Sequence, residues 1–377
     1  MKILHSGSLG IQSGGPALSL YLTVKGLNDA GERAEVIMSP LREKDKLIAN
    51  NMTIHYTAVM RNVRLGYMPG LKEMLDKLSV YDLYHVHGLW QYLGHGVTSY
   101  ARRHGKPYIM TLRGMLYPQA LAHSALVKKA SLILYQRKDL QKAACIQATC
   151  IEEMEHYRTL GFCNPVAVLP NPIDINHVVD RPIPDKPQMK IGYLGRIHPR
   201  KRIEKLIYAM NDSRDKTSNL HLAIIGSGDN VYERFLHNEV KRLNLSNVKF
   251  TGFLSGKEKD EIMTQLSLLV VPSDFENFGN IVTEALVRGV PVIASRGMPW
   301  RELETHHCGW WIDNDQESIT KTLIEAISLT EEERIYMGMN GKQLMRENYS
   351  VEVLAGKMKH LYQWILGQAS KPEFVYE

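Results

Sequence analysis

The 377-residue chain predicts an α/β fold of two Rossmann-like, doubly wound domains facing a cleft. Three observations carry that expectation. Short continuous apolar runs alternate with longer helical patterns, which is how buried parallel strands and their crossover helices read. The alternation begins twice in the same way, at Met1-Lys2-Ile3 and at Met189-Lys190-Ile191, each time leading to a glycine turn. Between the two starts, the stretch from Asn164 to Pro187 holds six of the chain's 16 prolines. Such a stretch favours neither helix nor central strand and reads as a connection. The expected domains are 1–172 and 173–349, and the length agrees, since one core rarely supports so long a chain.

The elements follow in order. In the first half KILHS, AEVIMS, DLYHVHG, PYIMTLR, CIQAT and VAVLP read as strands. Helical patterns such as PALSLYLTVKGLNDAG and ALVKKASLILYQRKDLQKAA separate them. In the second half the strands are KIGYLG, LHLAIIG, VKFTGF, SLLVVPS, PVIAS and GWWID, with helices such as IEKLIYAM and DNVYERFLHNEVKRL between them. The closing stretch, about 350–377, begins with an amphipathic helical pattern that could pack back on the first domain.

Composition excludes several classes. Hydrophobic residues make up 44% and charged residues 23%, so a full core is expected without a disulfide scaffold. The four cysteines (Cys145, Cys150, Cys163 and Cys308) contain no Cys-x-x-Cys pair, which argues against a zinc site and suits a reducing compartment. The first residues already form a strand, leaving no room for a signal peptide, and no run reaches the roughly 18 apolar residues that span a bilayer. A cytoplasmic protein is expected, with any membrane contact peripheral and at the inner face. Residues 1–180 carry 20 Lys+Arg against 14 Asp+Glu, and the remainder carries 26 against 26, so the net +6 lies wholly in the first half. That hints at an anionic partner. Nucleic acid is not expected, because the basic residues are not interleaved with stacking aromatics.

Four stretches could carry chemistry. In GYLGRIHPRKRIEKL, Arg196 leaves a strand end and Lys201 opens the next helix, a placement that suits a diphosphate as well as it suits a solvated basic loop. Gly226 and Gly228 in IIGSGDN end another strand in a turn that lets a ligand approach, though the same turn is common without one. Gly14 and Gly15 precede a helix and could cradle an anion, but they do not form a dinucleotide fingerprint. In SDFENFGNIVTEALVRGVPVIAS, Glu276 lies in a loop, a helix is predicted from about Gly279, and Glu284 lies within it. Carboxylates there accept hydroxyl hydrogen bonds, while the backbone of Asn277, Phe278, Gly279 and Asn280 offers N–H groups. The plain alternative is a dipole-favouring Glu276 and a surface Glu284.

Taken together these stretches resemble glycosyltransferase family 4, retaining nucleotide-sugar-dependent enzymes of the GT-B fold. Glu276 and Glu284 in ENFGNIVTEALVRGVPVIAS look like its donor motif, Arg196 with Lys201 like its diphosphate pair, and Gly14-Gly15 like its N-terminal loop. His87 in YHVHGLW resembles the histidine near the transferred sugar. The resemblance implies that Glu284 binds ribose, that Glu276 and the Asn277–Asn280 backbone hold the sugar, and that Arg196 and Lys201 neutralise the leaving diphosphate. His87, Arg196, Lys201 and Glu276 are then the catalytic set. Base contacts are expected near Thr251–Leu254, Phe253 among them, with Gly226 and Gly228 also on the donor side. No metal and no cofactor beyond the sugar nucleotide is implied, since two fixed cations can stabilise the developing charge.

Two positions depart from the family pattern. Arg202 stands where a glycine usually follows the lysine, either as a further cation or as a solvated helix residue. Arg113 in TLRGMLYP stands where many relatives have histidine; it is grouped with the donor-binding residues and could also meet an anionic acceptor.

The implied reaction moves a sugar from a nucleotide diphosphate to a hydroxyl of a saccharide or polyprenyl-linked acceptor, in surface polysaccharide synthesis. A nucleotide-sugar epimerase of the same architecture and an idle sugar-nucleotide-binding subunit are the alternatives. Residues 125–142 place Lys128, Lys129, Arg137, Lys138 and Lys142 beside Leu126, Ile133 and Leu140, a pattern that suits either an anionic membrane or an ordinary half-buried helix.

Overall fold

The computed structural model describes residues 1–42, 45–58, 66–78, 80–176, 178, 189–217 and 220–377. Most of the proline-rich connection after residue 176 therefore lies outside the described residues. The chain divides into two compact units, Met1–Pro172 with Val351–Glu377, and Ile173–Ser350.

Seven strands of the first unit run in chain order as β1 (Lys2–Ser6), β2 (Arg33–Met38), β3 (Thr53–Tyr56), β4 (Leu83–His87), β5 (Tyr108–Thr111), β6 (Cys145–Ala148) and β7 (Val166–Val168). Those of the second are β8 (Lys190–Leu194), β9 (His221–Ile225), β10 (Val248–Gly252), β11 (Leu268–Val271), β12 (Val292–Ser295) and β13 (Gly309–Ile312). A last strand, β14 (Val375–Tyr376), returns to the first sheet and pairs antiparallel with β7. The first sheet has the order β14-β7-β6-β5-β4-β1-β2-β3 and the second β10-β9-β8-β11-β12-β13. All pairings other than β14–β7 are parallel.

Both sheets reverse direction of growth once, between β1 and β4 and between β8 and β11. A ligand in a doubly wound sheet settles at the carboxyl ends of the strands flanking such a reversal. Those ends carry the Gly7–Gly15 and His87–Trp90 loops in the first unit, and the Gly195–Lys201 and Ser273–Gly279 loops in the second.

The strands are apolar on both sides because helices cover both faces of each sheet. Leu268, Leu269, Val270 and Val271 are all buried, alternating between two separate hydrophobic clusters. Each such side chain contributes about 1.5–3 kcal/mol by leaving water. The Val351–Ile365 helix packs on the Gly15–Asp29 helix of the first unit, burying Leu354, Met358, Leu361 and Tyr362 in that unit's core. Two strands have no counterpart in the sequence reading, β3 and β14. The first is a half-exposed edge strand with no continuous apolar run, and the second has only two residues.

Candidate active site

In the second unit, β8 ends at Leu194, Gly195 turns the chain, and Arg196 emerges exposed to solvent. The next turn corrects the expectation that Lys201 opens a helix. Pro199–Lys201 form a 3-10 turn, Arg202 adopts a left-handed φ of 50°, and the helix starts at Ile203. This backbone accounts for a glycine preference at position 202, since a non-glycine residue held there is strained by about 1–2 kcal/mol. Arg202 is thus neither helical nor aimed at an open anion site. Its Nε donates to Asp274 Oδ2 at 2.6 Å, clamping the 199–202 turn to the loop after β11.

That clamp brings Lys201 to Glu276. Lys201 Nζ donates to Glu276 Oε1, and Ser273 Oγ reaches the same oxygen at 3.3 Å. Burial first, then the positive charges of Arg200 and Arg196, lower the Lys201 ammonium to about 8. The Glu276 carboxylate in contact with it acts in the opposite sense. Glu284 is paired as well, its Oε2 accepting from Lys259 Nζ at 2.9 Å. Lys259 lies on the Gly256–Thr264 helix, well away from the motif in sequence.

Gly279 caps the Asn280–Leu286 helix with a φ of 81°, and a Cβ there would meet Met298 Cε at 2.3 Å. Phe278 was expected to offer its backbone N–H, and its side chain belongs to the core. Its ring is 5% exposed and packs 5.2 Å from Trp300 and 6.1 Å from Tyr349, centroid to centroid. Trp300 Nε1 donates to the Phe278 carbonyl at 2.5 Å. The side chain therefore anchors the loop and cannot contact a ligand; only its backbone can. Phe253 is the opposite case, 67% exposed beyond β10.

Gly226 and Gly228 owe their identity to close backbone packing. A Cβ at Gly226 would lie 1.9 Å from the Gly195 carbonyl oxygen, and one at Gly228 would lie 2.0 Å from that of Ile197. Ile197 N donates to the Ser227 carbonyl at 3.1 Å and Asp229 N to the Ile197 carbonyl at 2.8 Å, so the two loops zip together and hold Arg196 between them.

In the first unit, Gly14 takes a φ of 62° ahead of the helix that Gly15 begins. His87 ends β4 and belongs to a stack of three histidines. Its ring centroid lies 4.2 Å from His85 and 5.3 Å from His5, on neighbouring β1. Burial lowers all three, His5 to about 3 and the other two well below the usual range, so the stack is neutral.

Hydrogen bonds fix the protons. Arg113 Nη2 donates to His87 Nδ1 at 3.0 Å, which leaves His87 Nε2–H to donate to His5 Nδ1 at 3.0 Å. Thr111 Oγ1 donates to Gln147 Oε1 at 2.8 Å and so accepts from His85 Nε2–H at 2.8 Å, while Tyr362 Oη donates to His85 Nδ1 at 2.7 Å. Three imidazoles this close could ligate an ion. Both nitrogens of His85 and both of His87 are already engaged, however, in two separate hydrogen-bond chains.

Arg113 holds a left-handed φ of 57° at the end of β5. Its Nη1 donates to Asn171 Oδ1 at 2.8 Å, and Nε is buried without a partner. Burial lowers the guanidinium to about 10, with the Glu153 carboxylate acting in the opposite sense.

Residues 125–142 differ from a simple amphipathic helix. The Ala125–Ser131 helix runs into a π-turn at Leu132–Gln136 and then into Arg137–Gln141. Leu126, Val127, Ile133 and Leu134 stand in solvent, Leu126 at 85% exposure, whereas Leu140 is fully buried. Lys128 folds back to the Ala120 carbonyl and over the Trp90 ring, and Arg137 lies 5.1 Å from the Phe162 ring centroid. Of the basic residues, Lys129, Arg137, Lys138 and Lys142 are exposed to solvent. Tyr135 Oη donates to the Trp90 carbonyl and Trp90 N to Gln136 Oε1, both at 2.8 Å, tying the π-turn to the loop after His87.

The sequence reading brought Lys201 and Glu276 into one site, and it found Glu284. It missed Lys259, His5, His85 and Tyr362. Only His85 carried a signal, since the His-x-His alternation puts two histidines on one face of a strand.

Comparison with known proteins agrees with this architecture. The profile of glycosyl transferases group 1 matches residues 179–344, and that of the glycosyl transferase 4-like domain matches residues 14–172. The chain belongs to the family-4 type of glycosyltransferase. It is 28% identical over 46% of its length, and 44% of the relative's, to an uncharacterised glycosyltransferase of Methanocaldococcus jannaschii. It is 22% identical over 97% of its length to the phosphatidylinositol N-acetylglucosaminyltransferase gpi3 subunit of Schizosaccharomyces pombe, covering 78% of that protein. The fold matches Anabaena Alr3699/HepE in complex with UDP and glucose, with a TM-score of 0.74, 18% identity and coverage of 97% of this chain and 100% of that one. The two sequence relatives carry transferase names, and nothing in the comparisons supports the epimerase alternative.

Proposed function

We propose that the protein moves a sugar from a nucleoside diphosphate sugar to a hydroxyl of a saccharide or lipid-linked saccharide, with retention and without a divalent metal, in surface polysaccharide synthesis. The observation that carries this reading is the pairing of both motif carboxylates with lysines beside the reversal point of the second sheet. Lys201 leaves Glu276 for the donor diphosphate and, with Arg196, stabilises the charge that develops as the leaving group departs. Glu276, once released, accepts hydrogen bonds from the sugar hydroxyls together with the Asn277–Asn280 backbone. Glu284, oriented by Lys259, accepts from the ribose. The leaving phosphate takes the acceptor's proton on the face where the new bond forms. The UDP and glucose bound by the Anabaena protein are consistent with such a donor.

The test is a thermal-shift panel of UDP-, GDP- and ADP-sugars on the wild type and on Glu284→Ala. A sugar nucleotide at 100 times its dissociation constant adds about 2.7 kcal/mol of stability. Stabilisation by one base class, lost in the variant, supports the donor site; no shift with any of them sinks it.

The ridge of Leu126, Val127, Ile133 and Leu134 with Lys129 and Lys138 favours a peripheral seat on the inner face of an anionic membrane. No helix of the described residues is long and apolar enough to cross a membrane. Sedimentation with phosphatidylglycerol vesicles at low salt should pull down the wild type and leave Leu126→Asp/Ile133→Asp in solution. Equal sedimentation of the two rules out this seat.

A further inference from the structure

A cavity of about 270 Å³ opens at the carboxyl ends of β1 and β4. Ser8, Ser13 and Gln91 offer it hydroxyl and amide groups, Leu93 and Met115 give it apolar wall, and Arg113 lines it beside His87. The charge of Arg113 has no counterpart there. Its two recorded partners are the neutral ring of His87 and the amide oxygen of Asn171. No carboxylate among the described residues makes an ion pair with it. Glu153, the acid that acts on it from a distance, has Oε1 accepting from Gly114 N and Oε2 from Thr149 N and Oγ1.

A buried cation with no opposite charge, and with one buried N–H unpartnered, is a state proteins seldom keep without use. A left-handed backbone at the same residue adds strain that clusters at ligand sites. The second unit shows the contrast, since both of its motif carboxylates are matched by lysines.

We propose that this cavity seats the acceptor, and that the acceptor carries a phosphate group that pairs with Arg113. Calling the bound molecule an acceptor rests on the transferase reading, whereas the anion site stands apart from it. The guanidinium fork matches two phosphate oxygens, and the Ser8 and Ser13 hydroxyls can donate to the same group or to the sugar beside it. The phosphate belongs either to a soluble sugar phosphate or to the diphosphate of a lipid-linked saccharide.

The experiment is a calorimetric titration of the full chain in which Arg196 and Lys201 are both changed to Met, which removes the second unit's cations from the measurement. Glucose 6-phosphate is one probe and farnesyl diphosphate in detergent micelles the other, with glucose and farnesol as uncharged controls. The expected result is binding of at least one phosphate compound and of neither control, and the one that binds identifies the source. Adding Arg113→Gln should weaken that binding at least tenfold. Should Arg113→Gln fail to fold, Arg113→Lys, which keeps the charge but loses the fork, should still weaken it at least threefold. No binding of either phosphate compound, or equal binding with and without the Arg113 change, overturns the proposal. If UDP, GDP and ADP all fail to bind the wild type while the phosphate compound binds, the transferase reading falls and the anion site stands.

Discussion

The two units handle charge at the ligand ends of their sheets in opposite ways. In the second unit, every motif carboxylate has its own lysine: Glu276 with Lys201, Glu284 with Lys259. In the first, three histidines lie at the ligand end of the sheet, all neutral, and one guanidinium lacks an ionic partner among the described residues. A paired half can exchange partners, its lysine passing from a carboxylate to an arriving diphosphate with little change in net burial of charge. An unpaired half can only be completed by what arrives. The same architecture can thus hold one region ready by balance and the other by imbalance.

The largest effect that would sharpen this contrast concerns what supports the paired half. Phe278 sits inside the donor motif yet belongs to the core, so Phe278→Ala should lower stability by about 3–5 kcal/mol in chemical denaturation. Phe253→Ala, at an exposed position, should stay within about 0.5 kcal/mol. Comparable losses in the two would mean that the motif loop is not anchored by its aromatic packing.

A smaller effect separates the halves by pH. Lys201 is lowered to about 8 in the free protein, and a bound diphosphate raises it again. Below about pH 8 the ammonium is already present. Above it, binding must take up a proton, so nucleotide affinity should fall by up to about tenfold per pH unit. The histidine stack stays neutral through the same range and down past pH 6, so it should add no step between pH 6 and 7.5. A histidine-like step there would show that the first half is charged after all.

Much of the fold was legible because buried parallel strands are continuous apolar runs, and all six strands of the second sheet were found, the edge strand β10 despite its Lys249 and Thr251. β3 escaped because an exposed edge strand has no such run. The site was legible where its chemistry is contiguous, as from Glu276 to Glu284. Lys259 was not, because a lysine on a surface helix looks the same whether or not it orients a carboxylate 25 residues away. Gly226 and Gly228 were read as a turn that lets a ligand approach but is also common without one, and the contact that demands them is another backbone. Leu140 was grouped with Leu126 and Ile133 on one apolar face because sequence periodicity assumes an unbroken α-helix, whereas it is buried and they are exposed. The π-turn at Leu132–Gln136 inserts one residue and rotates everything after it by about 100°.

The central claim is that Lys201 changes partner, from Glu276 to the donor's diphosphate. Calorimetric titration of UDP, GDP and ADP, each beside its unphosphorylated nucleoside, into the wild type and Lys201→Met at pH 7 tests it directly. The diphosphate that binds the wild type should lose at least tenfold in affinity in the variant, about 1.4 kcal/mol or more, while the nucleoside changes by less than twofold. Equal diphosphate affinity in both proteins would contradict it.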